Sequence, residues 1–334
     1  MQKGMRKAVD NFIDLGLCRL LRNAANTEEV INTGAQTGRH TCQHSGIRLP
    51  APLLIHSYRR GGNSKLFSQL GLRQVAQMCI RDRDISSCAM IGVGAPGTCD
   101  IPNGVVIRSY SLSWKDVPLS EMLQKYFQIP VHIDNDANCA ALAEVKAGAA
   151  RGCQNMVLVT LGTGIGSGIV LDGKIYSGLS GSGTEIGHML IDHNGELCFC
   201  GRRGCWDAYA SVTALIIQAK RAAAGRPESI LNTIPQINGK SIFEAADKGD
   251  ITAKAVVAQY CSYIALGISD IVNIFAPEMI LLGGGVSAQG DKILDPVRKY
   301  IRENCFDKRE EAMPRLGIAS MGNDAGIVGA AALS

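Results

Sequence analysis

In EIGHMLIDHNGELCFCGRRGC (185–205), Cys198, Cys200 and Cys205 form a C-x-C-x4-C knuckle, with His188 ten residues before its first cysteine and His193 five before it. Three thiolates and one imidazole are the donor set of a closed, tetrahedral structural zinc site. Three cysteines pair badly as disulfides, and Gly201 and Gly204 let so short a loop fold around an ion. The spacing alone leaves both histidines open as the fourth ligand.

Two further stretches offer phosphate chemistry. TLGTGIGSG (160–168) sets glycines at 162, 164, 166 and 168, so its backbone N–H groups can approach an anion closely. A dinucleotide fingerprint needs a helix next, whereas IVLDGKI follows as a strand, and no GxxxxGK[ST] occurs anywhere in the chain. GGGVS (283–287) is a second glycine turn after an apolar strand. Two such turns about 120 residues apart suit a nucleotide held between two halves of a domain. IDNDAN (133–138) then places Asp134 and Asp136 where a strand ends and a helix begins. A carboxylate there can take the proton of a hydroxyl that attacks a phosphoryl group. Asn135, Asp136 and Asn138 are equally good helix caps, and that structural role competes with the catalytic one.

The elements that carry these residues are legible from about residue 84. CAMIGVGAP (88–96) reads as a buried strand, VPLSEMLQKYF (117–127) as an amphipathic helix, and IPVHID (129–134) as a strand feeding the helix NCAALAEVKAGAA (138–150). Residues 155–178 read as two apolar strands joined by glycines, with a second turn at Asp172-Gly173. A long apolar-faced helix follows over 255–275, a strand at 278–287 and a closing helix within 322–334. Strands alternating with helices predict an α/β fold.

The chain has 334 residues, 46% of them hydrophobic, enough for one large domain or two lobes. It shows no unbroken run of about 18 apolar residues and no secretory signal pattern, so a cytoplasmic protein without a membrane partner is expected. Twelve cysteines in a reducing compartment point to metal before disulfides. The net charge of +4 is unevenly spread: residues 1–83 hold 13 Lys+Arg against 5 Asp+Glu, and residues 84–334 hold 21 against 25.

Taken in order, GVGAPG (92–97), NDAN (135–138), TLGTGIGSG (160–168), EIGH (185–188), CFCGRRGC (198–205), LLGGGVS (281–287) and GNDAGIVGAA (322–331) resemble the ROK family of sugar kinases and sugar-responsive repressors. The resemblance runs from about residue 84 to the C-terminus. It implies an actin/hexokinase-like, two-lobed α/β fold with ATP and sugar in an interlobe cleft. On that pattern residues 84–133 are the remainder of the N-terminal lobe and 134–321 the C-terminal lobe, with a zinc knuckle at 188–205. Residues 322–334 are then a closing helix that packs back on the first lobe. The same resemblance makes Asp136 the general base and Asn135, Glu185, His188 and Asp207 sugar ligands. It gives the zinc to His188, Cys198, Cys200 and Cys205, and so chooses His188 over His193. Gly162, Thr163 and Gly164 would lie on the ATP phosphates, and Gly283, Gly284 and Gly285 near the adenosine. The implied cofactors are ATP, Mg2+ and a structural Zn2+, and the implied assembly is a homodimer with no nucleic-acid partner.

Three departures stand out. Asp207 occupies the position of a family Glu, Ser111 stands where an Asn often precedes Leu112 and Trp114, and the first phosphate loop, D-x-G-G-T, is missing. FIDLGLC (12–18) echoes only its first half, through Asp14 and Gly16. The resemblance therefore implies an ATP-dependent hexose kinase, with glucose as the expected substrate. The alternatives are a sugar-sensing repressor and a catalytically impaired sugar-binding relative. Repressors of the family place a winged-helix domain ahead of the kinase-like body, and the 91 residues before GVGAPG hold the rest of a first lobe but not a reader domain as well. QMCIRDR (77–83) can be encoded by a string resembling a transposon end used in sequencing libraries. Residues 1–83 are accordingly expected to be anomalous, a product of mis-joined sequence, which accounts for their arginine excess and for the missing loop.

Overall fold

The computed structural model describes residues 53–56, 88–109, 112–179, 181 and 183–333. Asp14, Gly16, Ser111 and the 77–83 heptapeptide lie outside the described residues. The chain divides into two units, one running to Cys139 and resuming at Gly326, the other spanning Ala140–Ala325.

In the first unit, β1 (Leu53–His56), β2 (Ile91–Ala95) and β6 (Val131–Asn135) form an all-parallel sheet with β2 at its centre. A central parallel strand is covered on both faces, and every residue of β2 is accordingly buried. The register sets Gly94 beside Asp134 and Ala95 beside Asn135, so the turn after β2 and the end of β6 meet. Helix α1 (Leu119–Phe127) buries Leu119 and Leu123, one turn apart, and stops at Gln128 in a left-handed conformation ahead of Pro130. Strands β3 (Thr98–Asp100), β4 (Val105–Ser109) and β5 (Trp114–Val117) make a small antiparallel sheet that the sequence pattern did not announce. Strand β1 was equally unannounced, because it lies in the segment that the charge balance set aside.

The second unit is built on a five-stranded mixed sheet ordered β11-β10-β7-β8-β9: β7 (Met156–Leu161), β8 (Ile165–Leu171), β9 (Lys174–Tyr176), β10 (Met279–Gly283) and β11 (Arg315–Ile318). The hairpins expected over 155–178 are present as antiparallel β7-β8 and β8-β9. Strands β7 and β10 pair in parallel, with Gly283 opposite Thr160, so both glycine turns leave the same end of the sheet. Helix α2 (Asp136–Ala147) follows β6 without a gap, and the short closing helix α8 (Ala325–Ala331) ends the fold.

Between them lie α3 (Asp207–Ala210), α4 (Val212–Ala224), α5 (Gly239–Asp247), α6 (Ile251–Phe275) and α7 (Asp291–Asn304). Among the described residues α6 alone is long and apolar enough, by length and composition, to cross a membrane. It forms the spine of the second unit's core instead: Tyr260, Ile264, Ile268 and Ile271 are fully buried, in one cluster with Trp206, Leu215 and Phe243. Asp250 caps its start by accepting from Ala253 N at 2.7 Å.

Candidate active site

The base candidate sits at the seam between β6 and α2. Asn135 is the helix cap: its Oδ1 accepts from Ala137 N (2.8 Å) and Asn138 N (3.3 Å), while its Nδ2 donates to Gly97 O (3.0 Å). Asp136 is the first helical residue, half-buried, and its Oδ1 accepts from Ala137 N at 3.0 Å. A helix N-terminus favours the negative charge that a general base must carry. Asp134 turns inward instead and is 3% exposed. Its Oδ1 accepts from Asn135 N (2.6 Å) and Asn138 Nδ2 (2.8 Å). Burial pushes this carboxyl above the usual carboxylate range, against the pull of those two donors. Of the cap candidates in IDNDAN, Asn135 caps the helix, and Asp136 stands at its first position. Cys99 and Cys139 lie close enough to feel both aspartates, and burial followed by that charge pushes the Cys99 thiol up to about 12.

The remaining candidates belong to the second unit. The glycine turn 162–164 connects β7 to β8, with Gly162 N donating to Gly164 O (3.0 Å). The turn at 283–285 runs directly against the end of β7 that feeds it: Gly284 has φ 88°, and a Cβ there would stand 2.2 Å from the Leu161 carbonyl oxygen. Sequence reasoning paired the two turns by their glycines, and the parallel β7-β10 ladder supplies the physical link.

EIGH packs onto the first of these turns. Glu185 is exposed, Ile186–His188 form a single 3-10 turn, and Gly187 lies against Ile165, where a Cβ would meet the backbone oxygen at 2.5 Å. The Ser167 hydroxyl donates to Thr184 O and so ties β8 to the start of the motif.

His188, Cys198, Cys200 and Cys205 each bring one donor atom into a group whose members all lie within 4.8 Å of one another. A tetrahedral ion with Zn–S bonds of about 2.3 Å holds its sulfurs about 3.8 Å apart, and Cys200 Sγ and Cys205 Sγ are separated by 3.7 Å. The imidazole enters through Nδ1, 3.7 Å from Cys198 Sγ, with its ring edge-on to Phe199. These residues fit a zinc ion. His193 is exposed and lies outside the group, and His188 is the histidine within it. Tyr209, which sequence reasoning missed, pins the loop: its hydroxyl accepts from Glu196 N (2.7 Å) and donates to Asp192 Oδ2 (2.9 Å).

Asp207, at the start of α3, is 6% exposed. Its Oδ2 accepts from Ile165 N at 2.9 Å, where the glycine turn enters β8. Burial pushes its carboxyl above the ordinary range, opposed first by that bond and then by His188.

The ROK family profile matches residues 70–334, and so begins ahead of Asp84. The glucokinase of Halalkalibacterium halodurans is 38% identical over 244 residues, 72% of this chain and 74% of that protein. The crystal structure of a ROK family glucokinase from Streptomyces griseus in complex with glucose and AMPPNP is 34% identical, with a TM-score of 0.67, covering 78% of this chain and 85% of that one. The xylose repressor of Bacillus subtilis is 30% identical over 239 residues, 72% of this chain but 59% of the repressor. The α/β architecture is the actin/hexokinase-like fold that these structural relatives share.

Proposed function

The chain belongs to the ROK family, and from that premise we propose that it is an ATP-dependent sugar kinase whose acceptor is a hexose, glucose first. The observation that carries this reading is the packing of EIGH on Ile165. It puts a turn bearing sugar-type polar groups directly against a glycine turn suited to phosphates, on one rigid sheet end. The glucose and AMPPNP held by the Streptomyces griseus relative support the same pair of ligands.

In this reading Asp136 accepts the proton of the attacking sugar hydroxyl while Asn135 steadies the start of α2. Phosphoryl transfer asks little covalent chemistry of the protein, so positioning and charge stabilisation account for the rate. The backbone of Gly162, Thr163 and Gly164 holds the phosphates, and Gly283–Gly285 border the nucleoside. Glu185 and His188 receive sugar hydroxyls. With Nδ1 committed to the metal group, Nε2–H of His188 is the atom left to donate to a hydroxyl. Asp207 is the weakest of the proposed sugar ligands, because one of its oxygens is already held by Ile165 N. Mg2+ would neutralise charge on the transferring phosphate. Zn2+ in the knuckle would fix the imidazole.

The test is a panel of hexoses with ATP, reading ADP release, on the full chain. Release of ADP that depends on glucose is expected, and its absence across the panel would remove the kinase reading. The xylose repressor relative motivates the second reading, a sugar-sensing DNA-binding protein. Phosphate contacts make DNA affinity steeply salt-dependent. A kinase should show no such binding even at low salt, and tight, salt-sensitive binding would favour the repressor.

A further inference from the structure

The glycine turn 162–164 and Ile165, which follows it, are held from outside at three points, always by the segment that follows the knuckle. Val212 N, at the start of α4, donates to Gly162 O at 2.9 Å. The Thr213 hydroxyl donates to Thr163 O at 2.7 Å. Asp207 Oδ2 accepts from Ile165 N at 2.9 Å, and a Cβ at Gly164 would stand 2.7 Å from that same oxygen. Asp207 lies two residues after Cys205, and between them is the fully buried Trp206, whose Nε1 donates to Tyr263 O of α6 at 2.7 Å. A movement of Cys205 therefore has one short, anchored path along the chain to the turn.

We propose that Asp207 and Thr213 are positioning residues for the glycine turn, and that through them the state of the knuckle sets the shape of the phosphate-binding turn. The metal thus supports the nucleotide side of the site as well as the sugar side. This deepens the kinase reading and rests on it for the identity of the turn's ligand, whereas the mechanical link does not.

The test is amide hydrogen exchange on the peptide covering 160–166, in the full chain with zinc bound, after zinc is stripped by a chelator, and in Thr213→Val, Thr213→Ser and Asp207→Ala. Loss of one hydrogen bond that closes a turn raises local opening about three- to tenfold. Exchange in 160–166 should accelerate by that factor in Thr213→Val and Asp207→Ala and after zinc removal, and Thr213→Ser should return to the wild-type rate. Thr213→Val should also raise the KM for ATP severalfold more than the KM for glucose. Unchanged exchange in Thr213→Val, with zinc content and thermal midpoint as in the wild type, overturns the positioning role. Unchanged exchange after zinc removal overturns the link to the knuckle. A wild-type chain whose turn responds to zinc but which binds no ATP keeps the inference and removes the kinase reading, so the two fail separately.

Discussion

Asn135 and Asp136 are adjacent in sequence and differ in what surrounds them. Asn135 spends its amide on the helix start and on Gly97 O, whereas Asp136 begins α2 with a helix N-terminus favouring its charge. Asp136→Asn keeps the shape and removes the carboxylate that the proposed kinase reading makes the proton acceptor. Its turnover should fall by about 10^2 to 10^4 with the KM for glucose nearly unchanged, as steady-state kinetics would read. Turnover within a few-fold of wild type would exclude the base role. Tyr209→Phe removes the hydroxyl that holds Glu196 N and Asp192. Such outer contacts are typically worth about tenfold or more in metal affinity. The variant should lose zinc to a chelator about tenfold faster, measured with a chromophoric zinc indicator.

At the level of elements, α6 depends on its first turn. Burial alone would raise the Asp250 carboxyl. Hydrogen bonds from Ala253 N, Ile230 N and Ser229 Oγ outweigh it and hold the group below the ordinary carboxylate range. Asp250→Ala should therefore lower the thermal midpoint, with a loss of about 2 kcal/mol at neutral pH. The contribution of Asp250 is full above its unfolded pKa and disappears as the pH falls through the depressed folded value. The gap between variant and wild type should close on acidification, as melting curves at several pH values would show; a constant gap would refute this account.

The elements also explain what could be read from sequence. The knuckle was legible because all four donors fall within 188–205 and thiols at that spacing have few other uses. The strands β2, β7 and β10 were legible as continuous apolar runs, the mark of strands covered on both faces. Strands β3, β4 and β5 were not, since three to five residues of mixed polarity carry no period. The bond from Thr213 to Thr163 spans 50 residues through a single hydroxyl, and no local pattern encodes such a pairing. Asp207 was found only because it departs from a resemblance, and its bond to Ile165 N came from the fold.

For the molecule as a whole, zinc should be stoichiometric, one ion per chain by elemental analysis, with both Cys198→Ala and Cys205→Ala deficient. Because a structural zinc contributes folding free energy outright, its removal should lower the thermal midpoint of the whole chain. A metal-free protein as stable as the loaded one would reduce the knuckle to an incidental cluster of thiols.

The apolar spine has a consequence for biosynthesis. Helix α6 precedes β10 and α7 in the chain and emerges from the ribosome while they are still inside it, although Ile280, Ile293 and Val297 from those later elements share its core cluster. Until those elements have emerged in turn, a 25-residue helix with the composition of a membrane span stands partly unclothed. Domains expose apolar surface in this way during synthesis, and here the exposed piece also resembles an insertion signal. Helices α4 and α5, made earlier and sharing its cluster through Leu215 and Phe243, are the cover the chain itself supplies until then. Slowing translation when α6 has emerged and α7 is still inside the ribosome should raise aggregation of nascent chains more than slowing it once α7 has also emerged.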